Sequence, residues 1–367
     1  MKIGINATFL NEKPTGIGVF TRQVSSSIFR LHKELIIFST ILNDEIPSGL
    51  IHKVPEKMKG SSSVSNNLYR ILYINTTLPL LCMRKFVDVL YCPITEFPFI
   101  PLVPQVVHIH DLHPVLFPSQ FGMATARFRF SLKIMNRIVR RITVSSDFIK
   151  AELLQLSNIR EEKIDVIPLA YDKNIFKPQE IKSRKEFLDR YAIRGDYILF
   201  VGSLFPYKNV KVLIDAFLNI KHLIPHCLVI AGRKEFAAGI LPQDERILYM
   251  DYVPLKDLPM MYSYAEVFVH PSLREGFGIA PLEAMACGTP VISSNRGSLP
   301  EVVGDAGILF DAGDSNSLSQ LILSVINNKR LHNELMDKGF RHVKRFSWDR
   351  TAEGILQACE KALKEKR

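Results

Sequence analysis

The sequence predicts an α/β protein made of two doubly wound domains, each with helices on both faces of a parallel sheet. Short apolar strands alternate with amphipathic helices along nearly all of the chain. After a charged, proline-containing stretch, the pattern starts again with a strand at Tyr197–Gly202. A length of 367 residues also suits two domains. We therefore expect domains at 1–168 and 196–348, joined by a linker at 169–195.

The composition is typical of a globular protein, with 47% hydrophobic and 23% charged residues. The five cysteines are widely spaced, odd in number and without a Cys-x-x-Cys pair, which favours reduced thiols that pack as small hydrophobic side chains. A reducing, cytoplasmic setting fits this usage best, and no metal site is indicated. The cysteines are Cys82, Cys92, Cys227, Cys287 and Cys359.

Nothing in the sequence indicates a membrane-spanning segment. The first ten residues are too short and too polar to be a signal peptide. The most apolar run, Ile71–Met83, is shorter than a spanning helix and contains Pro79. The formal net charge is +10, and most of the excess lies before Pro168. A basic half is compatible with nucleic acid, a phosphorylated substrate or an anionic bilayer, so we expect at most peripheral contact with the inner face of the plasma membrane.

The stretch from His270 to Glu301 has the order strand, glycine loop, helix, strand, with Glu275 in the loop and Glu283 expected in the first helical turn. Ligands of parallel sheets lie beyond the carboxyl ends of the strands, and a helix N-terminus favours phosphate. Pro281 suits the first helical turn, and carboxylates accept hydrogen bonds from sugar hydroxyls. Phosphate and hydroxyl binding together indicate a nucleotide sugar. The alternative is a capped helix with Glu275 simply solvated.

Lys208 lies in the loop Gly202–Asn209, which follows the first strand of the second domain. A lysine at this position can act as a point charge toward phosphate. Most lysines are merely solvated, and the functional interpretation depends on the loop of Glu275 opening on the same crevice.

Two features of the first half have weaker signals. A strand at Lys2–Phe9 and a polar turn at 11–15 lead to Gly16-Ile17-Gly18, which opens a helix, but a lone Gly-x-Gly is often only a tight turn. His110 follows the buried strand Val106–Ile109. It could bind a sugar or phosphate oxygen, or equally cap the next turn together with Asp111.

The helices expected before the linker include two with distinctive sequences. One spans Asn67–Arg84, interrupted at Pro79 and preceded by a flexible loop at 61–67. The other, at Ala124–Arg141, is basic. One face of the basic helix is apolar, whereas the other is either solvated or docks on anionic lipid. Nucleic-acid binding is disfavoured because Phe128 belongs to the apolar face. The candidate lipid contacts are Arg129, Lys133, Arg137 and Arg140.

Three motifs, Gly202–Asn209, the Glu-x7-Glu segment Glu275–Glu283 and Gly297–Gly304, together resemble the GT4-type retaining glycosyltransferases of the two-domain GT-B fold. The resemblance covers nearly the whole chain and is strongest to bacterial mannosyltransferases of O-antigen and related surface polysaccharides. It implies two Rossmann-like domains that face each other across a cleft. It also implies that the final helix, roughly 349–367, crosses back to complete the first domain.

The resemblance also implies roles for individual residues. Glu275 would bind the donor sugar's hydroxyls, Glu283 the ribose, Lys208 the diphosphate, and His110 the sugar near its anomeric carbon. His110, Lys208 and Glu275 are thus the implied catalytic residues. The implied donor-binding set is Gly16, Gly18, Ser203, Lys208, Tyr252, Val253, Glu275, Gly276, Phe277, Gly278, Ile279 and Glu283. Many relatives have arginines where this chain has Ser203 and Tyr207; Arg274 or Arg233 could supply the missing charge.

The expected reaction is transfer of a hexose, with mannose from GDP-mannose as the leading donor, to a lipid-linked saccharide. Lys208, N–H groups and the helix dipole are suited to stabilise the leaving diphosphate. No Asp-x-Asp triplet occurs, so we expect neither a metal nor a cofactor besides the nucleotide-sugar co-substrate. The resemblance implies retention, with attack by the acceptor on the leaving-group face. The alternatives are a UDP-sugar donor, an epimerase- or phosphorylase-like enzyme, or a nucleotide-sugar-binding protein without transferase activity.

Overall fold

The computed structural model describes residues 1–11, 16–41, 45–58, 64–233 and 242–365. The chain divides into two compact units, one formed by Met1–Leu169 with Trp348–Arg367 and the other by Ala170–Ser347. In each unit a parallel sheet is packed between helices. The described helices include none long and apolar enough to cross a membrane.

The first unit contains a seven-stranded parallel sheet of order β3-β2-β1-β4-β5-β6-β7. Its strands are β1 (Ile3–Ala7), β2 (Leu35–Ser39), β3 (Ile51–Lys53), β4 (Val89–Cys92), β5 (Gln105–Ile109), β6 (Arg141–Val144) and β7 (Ile164–Val166). Its helices are α1 (Gly16–Leu31), α2 (Val64–Arg84), α3 (His113–Leu116), α4 (Pro118–Phe121), α5 (Met123–Ile138), α6 (Asp147–Leu156) and the last helix, α14 (Trp348–Lys364).

The second unit contains a six-stranded parallel sheet of order β10-β9-β8-β11-β12-β13. Its strands are β8 (Tyr197–Val201), β9 (Cys227–Ala231), β10 (Ile247–Met250), β11 (Val267–His270), β12 (Val291–Ser294) and β13 (Ile308–Phe310). Its helices are α7 (Arg184–Arg190), α8 (Val210–Ile220), α9 (Leu258–Ser263), α10 (Ile279–Ala286), α11 (Leu299–Val303), α12 (Ser315–Asn327) and α13 (Lys329–His342).

The central strands are mainly apolar because helices cover both faces of each sheet. Every residue of β1, β2, β4, β5, β9, β11 and β12 is buried. Continuous apolar runs, rather than alternating ones, are typical of such two-sided parallel sheets. Both sheets also have the doubly wound strand order, so the predicted fold class is confirmed.

The strand order reverses next to the first strand of each sheet. In the second unit this switch point lies between β8 and β11, which pair directly. Loops that leave neighbouring strands in opposite directions open a crevice there, at the carboxyl edge of the sheet. The loops after β8 and β11 are the segments that contain Lys208 and Glu275.

The last helix belongs to the first unit. Thr351 Oγ1 donates to Pro168 O at 2.8 Å, and the Asp349 carboxylate lies 2.7 Å from Arg30 on α1. The Trp348 ring also packs near Phe20, with centroids 6.0 Å apart. The chain therefore returns to its first unit after completing the second, as expected.

Some predicted boundaries were wrong. Helix α2 starts at Val64, inside the predicted loop 61–67, and continues through Pro79 without interruption. Pro79 removes one N–H, but Ile74, Leu78 and Cys82 are buried on both sides of it, and this packing maintains the helix. Residues 12–15 of the predicted polar turn and residues 61–63 of the predicted loop lie outside the described residues.

Two further predictions were wrong. Helix α5 ends at Ile138, so Arg140 lies in the connection and Arg141 begins β6, buried against Asp165 at 2.7 Å. The stretch 169–195 is not an open linker, since Phe176, Phe187 and neighbouring apolar side chains are buried and the segment forms α7. The five cysteines are free and buried, as predicted.

Candidate active site

The candidate site is built from the two loops that flank the switch point of the second unit. Lys208 lies in the loop after β8, immediately before α8, and Glu275 lies in the loop after β11, before α10. The Lys208 Nζ atom is 2.6 Å from the Glu275 Oε1 atom. The expected proximity of these two side chains is therefore observed.

Glu275 is a buried, ionised carboxylate. Its side chain is only 11% exposed, so the alternative of a solvated Glu275 is wrong. Burial alone would raise the pKa of the Glu275 carboxyl, but the Lys208 ammonium and a hydrogen bond from His270 outweigh burial and hold it well below its usual range. A charged acceptor at this position suits sugar hydroxyls, which donate hydrogen bonds.

His270 is a site residue that sequence reasoning missed. Its Nε2 atom lies 2.8 Å from Glu275 Oε1, and its ring is buried at the end of β11. Burial lowers the pKa of His270, although the Glu275 carboxylate opposes the shift, so Nε2–H of the neutral ring donates to the carboxylate. The signal was available: His270 ends a strand that leads directly into the glycine loop.

Hydrogen bonds to backbone carbonyl groups hold the two loops together. The Leu273 N–H donates to Tyr207 O at 2.8 Å, and Asn209 Nδ2 donates to Pro271 O at 3.2 Å and to Ala312 O at 2.8 Å. Asn209 has a φ of 55°, a left-handed conformation that asparagine tolerates better than most residues. Lys208 is therefore positioned by its neighbours on both sides.

The glycine loop between Glu275 and α10 is shaped by close packing. Gly278 has a φ of 93°, and a Cβ atom there would lie 2.7 Å from Leu299 Cδ2. Gly297 has a φ of 64°, and a Cβ there would lie 2.8 Å from the Glu275 amide nitrogen. The Ser298 Oγ atom lies 3.0 Å from Glu275 O and 2.8 Å from Phe277 O. Ser298 therefore stabilises the loop by hydrogen bonding to the loop's backbone carbonyl groups, a role that the sequence did not reveal.

Glu283 occupies a different environment. Helix α10 begins at Ile279, so Glu283 is its fifth residue and lies in the second turn, not the first as predicted. The Tyr262 hydroxyl donates to Glu283 Oε2 at 3.0 Å. Burial raises the pKa of Glu283 to about 7, and the tyrosine hydrogen bond only partly opposes this. Glu283 therefore changes charge near neutral pH.

The other implied donor-binding residues of the second unit lie at the same carboxyl edge. Ser203 is half-buried directly after β8, and Tyr252 and Val253 follow β10, with Tyr252 70% exposed and Val253 buried. Phe277 is buried, with its ring 6.0 Å from that of Phe346. The set also includes the half-buried Gly276 and Ile279; Arg274, beside Glu275, is half-buried as well, whereas Arg233, after β9, is exposed.

The first unit holds the remaining implied residues. Gly16 and Gly18 form the first turn of α1, as predicted, with Gly16 exposed and Gly18 buried. His110 follows β5, and its Nε2–H donates to Pro93 O at 3.0 Å. Burial lowers the pKa of His110 to about 4, although Asp111 and the Pro93 carbonyl oppose the shift. At neutral pH the ring is uncharged, with Nδ1 left as the acceptor.

The basic helix has a charged outer face and an apolar inner face. Arg129, Lys133 and Arg137 are exposed on α5, whereas Arg140 is half-buried beyond its end. Leu132 and Met135 are buried in the core of the first unit, as predicted. Three of the four candidate lipid contacts are therefore exposed on α5, whereas Arg140 is not part of this exposed face.

Comparisons with known proteins agree with this architecture. The family described as Glycosyl transferases group 1 matches residues 184–342. An O-antigen chain mannosyltransferase B of Escherichia coli is 28% identical over 371 residues, covering 94% of this chain and 95% of the relative. The O-antigen chain mannosyltransferase RfbU of Salmonella typhimurium is 29% identical over 240 residues, which is 62% of either chain. The crystal structure of Anabaena HepE with UDP-glucose superposes with a TM-score of 0.75 at 18% identity, over 97% of this chain and 98% of that one.

Two Rossmann-like units, each built on a doubly wound parallel sheet, are the architecture of the GT-B fold, which this chain shares with the HepE structure. Residues 184–342, which include Lys208, Glu275 and Glu283, match the glycosyl transferases group 1 domain.

We expect Lys208→Met to lower the free energy of unfolding by about 2–4 kcal/mol, because it leaves a buried carboxylate without its cation. Adding Glu275→Gln should recover part of this loss, since no charge is then left buried. Lys211→Met is the matched control: its pair with Asp215 is exposed, and its loss should stay within about 0.5 kcal/mol. Urea unfolding measures all four proteins, and equal losses for the two single lysine variants would contradict the pairing.

Glu283 should make the fold less stable as the pH rises. The unfolded chain releases this proton near pH 4.5 and the folded chain near pH 7, so the folded state binds more protons between these values. The free energy of unfolding should therefore fall by about 3 kcal/mol across this window. Glu283→Gln should remove that fall, whereas Glu334→Gln, at an exposed pair with Lys338, should retain it. Denaturant unfolding at pH 5 and pH 8 provides the measurement; parallel profiles for wild type and Glu283→Gln would refute the assignment.

Proposed function

We propose that this glycosyltransferase moves mannose from GDP-mannose to a lipid-linked or oligosaccharide acceptor in the synthesis of O-antigen or a related surface polysaccharide. The observation that carries the proposal is the 28% identity to an O-antigen mannosyltransferase across nearly the whole of both chains. The paired Lys208 and Glu275 at the switch point support it, because an inactive binding protein would not need a cation aimed at the leaving group.

In the proposed complex each of the two glutamates binds a different part of the donor. Glu275 Oε1 already accepts from Lys208 and His270, so Oε2 accepts from the hexose hydroxyls. Glu283, on α10, accepts a hydrogen bond from the ribose, and Tyr252 lies beside the base. Of the three N–H groups of Lys208, one binds Glu275, and the others donate to the diphosphate.

The bond between the anomeric carbon and the diphosphate breaks with negative charge developing on the leaving oxygen. Lys208 and the N-terminus of α10 stabilise this charge without a metal ion. His110, neutral at the pH of the reaction, uses Nδ1 to accept from a hydroxyl of the sugar. The acceptor hydroxyl attacks the anomeric carbon on the leaving-group face and passes its proton to the departing diphosphate oxygen, so the configuration is retained.

The acceptor brings the enzyme to a membrane. Arg129, Lys133 and Arg137 form an exposed cationic face on α5, and an anionic bilayer attracts each such charge by about 1 kcal/mol. Arg140 extends this basic region toward β6. The enzyme is thus a peripheral protein of the inner membrane face.

A transfer assay with a panel of nucleotide sugars tests which donor the enzyme uses. We expect GDP-mannose to give transfer, with UDP-glucose and UDP-galactose at least about 100-fold less effective in kcat/KM. Glu275→Gln should lower kcat/KM by about 100-fold or more, because the neutral amide binds hydroxyls and Lys208 less strongly. Glu334→Gln, on the surface of the same unit, is the control. Preference for a UDP-sugar would replace the donor assignment, and full activity of Glu275→Gln would remove Glu275 from the site.

A further prediction follows if Lys208 and the N-terminus of α10 stabilise the leaving diphosphate without a metal ion. Transfer should continue unchanged in excess EDTA, because Lys208 and backbone N–H groups take the place of a cation. NMR of the product should show the same anomeric configuration as the donor. An inverted product would exclude attack on the leaving-group face, and activity that returns only with added Mg²⁺ or Mn²⁺ would exclude the metal-free scheme.

A further inference from the structure

A cavity of about 770 Å³ lies at the amino edge of the sheet in the first unit, away from the site implied for transfer. Three of its lining residues, Pro104, Arg140 and Lys163, directly precede the strands β5, β6 and β7. His110 follows the opposite end of β5, roughly 17 Å away for five extended residues. The cavity and His110 are therefore separated by the full length of the strand.

The ionisable residues that line this cavity have a net positive charge. Its ionisable residues are four cations and two acids: Arg137, Arg140, Arg160, Lys163, Glu162 and Glu365. Both acids already bind cations, since Glu162 lies 3.1 Å from Arg160 and Glu365 lies 3.1 Å from Arg141. The excess positive charge favours an anion, and guanidinium groups match phosphate oxygens with paired N–H donors.

The segments that carry these cations are joined to each other by hydrogen bonds. The buried Lys163 Nζ atom donates to Asn136 O at 2.6 Å and to Val139 O at 2.9 Å, which ties the C-terminal end of α5 to the turn before β7. The Arg160 N–H donates to Asn136 Oδ1 at 3.3 Å from the same turn. Arg137 and Arg160 are thus presented from two elements that are fixed to each other.

One rim of the cavity is apolar and exposed. In the segment 100–104, Pro101, Val103 and Pro104 line the cavity, whereas Ile100 and Leu102 are 73% and 42% exposed. The rim continues onto α5 through Phe99, whose ring lies 5.4 Å from that of Phe130, itself 50% exposed. Phe99 is in turn held to α2, because its N–H donates to Asn75 Oδ1 at 2.8 Å.

We propose that this cavity binds the phosphate of a membrane lipid headgroup, while Ile100, Leu102 and Phe130 contact the acyl region beside it. A soluble phosphorylated ligand would match the cations but would leave these apolar side chains in water. The inference rests on the proposed membrane contact and sharpens it, from a charged helix face to a defined site for a phosphate. A terminal phosphate, with three free oxygens, can accept from more of the arginines that line the cavity than a diester can.

The test measures binding of the full-length chain to two kinds of phosphatidylcholine vesicle. One contains phosphatidic acid and the other phosphatidylglycerol, adjusted to the same surface potential. We expect about tenfold tighter binding to phosphatidic acid. Arg137→Gln and Arg160→Gln should each bring this ratio close to one. Arg129→Gln removes a charge from the same helix outside the cavity, so it should weaken both affinities alike and leave the ratio unchanged.

Equal affinity of the wild type for both vesicles would overturn the proposal, as would loss of the ratio in Arg129→Gln. Binding of inorganic phosphate to the chain, lost in Arg137→Gln and Arg160→Gln, together with equal affinity for the two vesicles, would assign the cavity to a soluble ligand and reject the lipid. A cation at a helix C-terminus can also stabilise the helix alone; lower thermal stability of Arg137→Gln with an unchanged ratio would support that role instead. Transfer to a soluble saccharide is assayed separately, so a failure of the proposed reaction is distinguished from a failure of lipid selectivity.

Discussion

The buried carboxylate of Glu275 is the constraint on which the second unit's site depends. A charge removed from water must be paired and hydrogen-bonded, and here one oxygen accepts from both Lys208 and His270. These three residues come from two loops, so the loops must keep a fixed separation. The contacts made by Asn209 and by the Tyr207 carbonyl maintain it. The backbone is thus organised around an electrostatic requirement.

The same requirement accounts for the glycine loop. With the carboxylate held against Lys208, the chain must turn sharply to start α10, and Gly278 supplies the left-handed conformation. Gly297 leaves room for the Glu275 amide, and the Ser298 Oγ atom lies within hydrogen-bond distance of the Glu275 and Phe277 carbonyl oxygens. The first two residues of the motif Gly297–Gly304 therefore help to hold the loop of Glu275 in its conformation.

The sequence was sufficient for the fold class and for the proximity of Lys208 to Glu275, because both follow from the alternation of strands and helices. Features set by tertiary contacts were not predictable. The basic run continued past the end of α5, but Arg141 is buried because Asp165 and Glu365 lie beside it, and no local pattern indicates partners so distant. Glu283 fell in the second turn because the helix starts after Gly278.

Two glutamates eight positions apart thus acquire opposite properties from one short segment. Glu275 accepts from a cation and an imidazole, so its charge is kept at any physiological pH. Glu283 accepts from one neutral hydroxyl, that of Tyr262, which is too weak to offset burial. In the proposed complex, a permanently charged acceptor orients Lys208 toward the leaving group. The proposed ribose contact allows Glu283 to remain near its titration point, because ribose hydroxyls both donate and accept hydrogen bonds. The difference lies in their partners, since the two side chains are chemically identical.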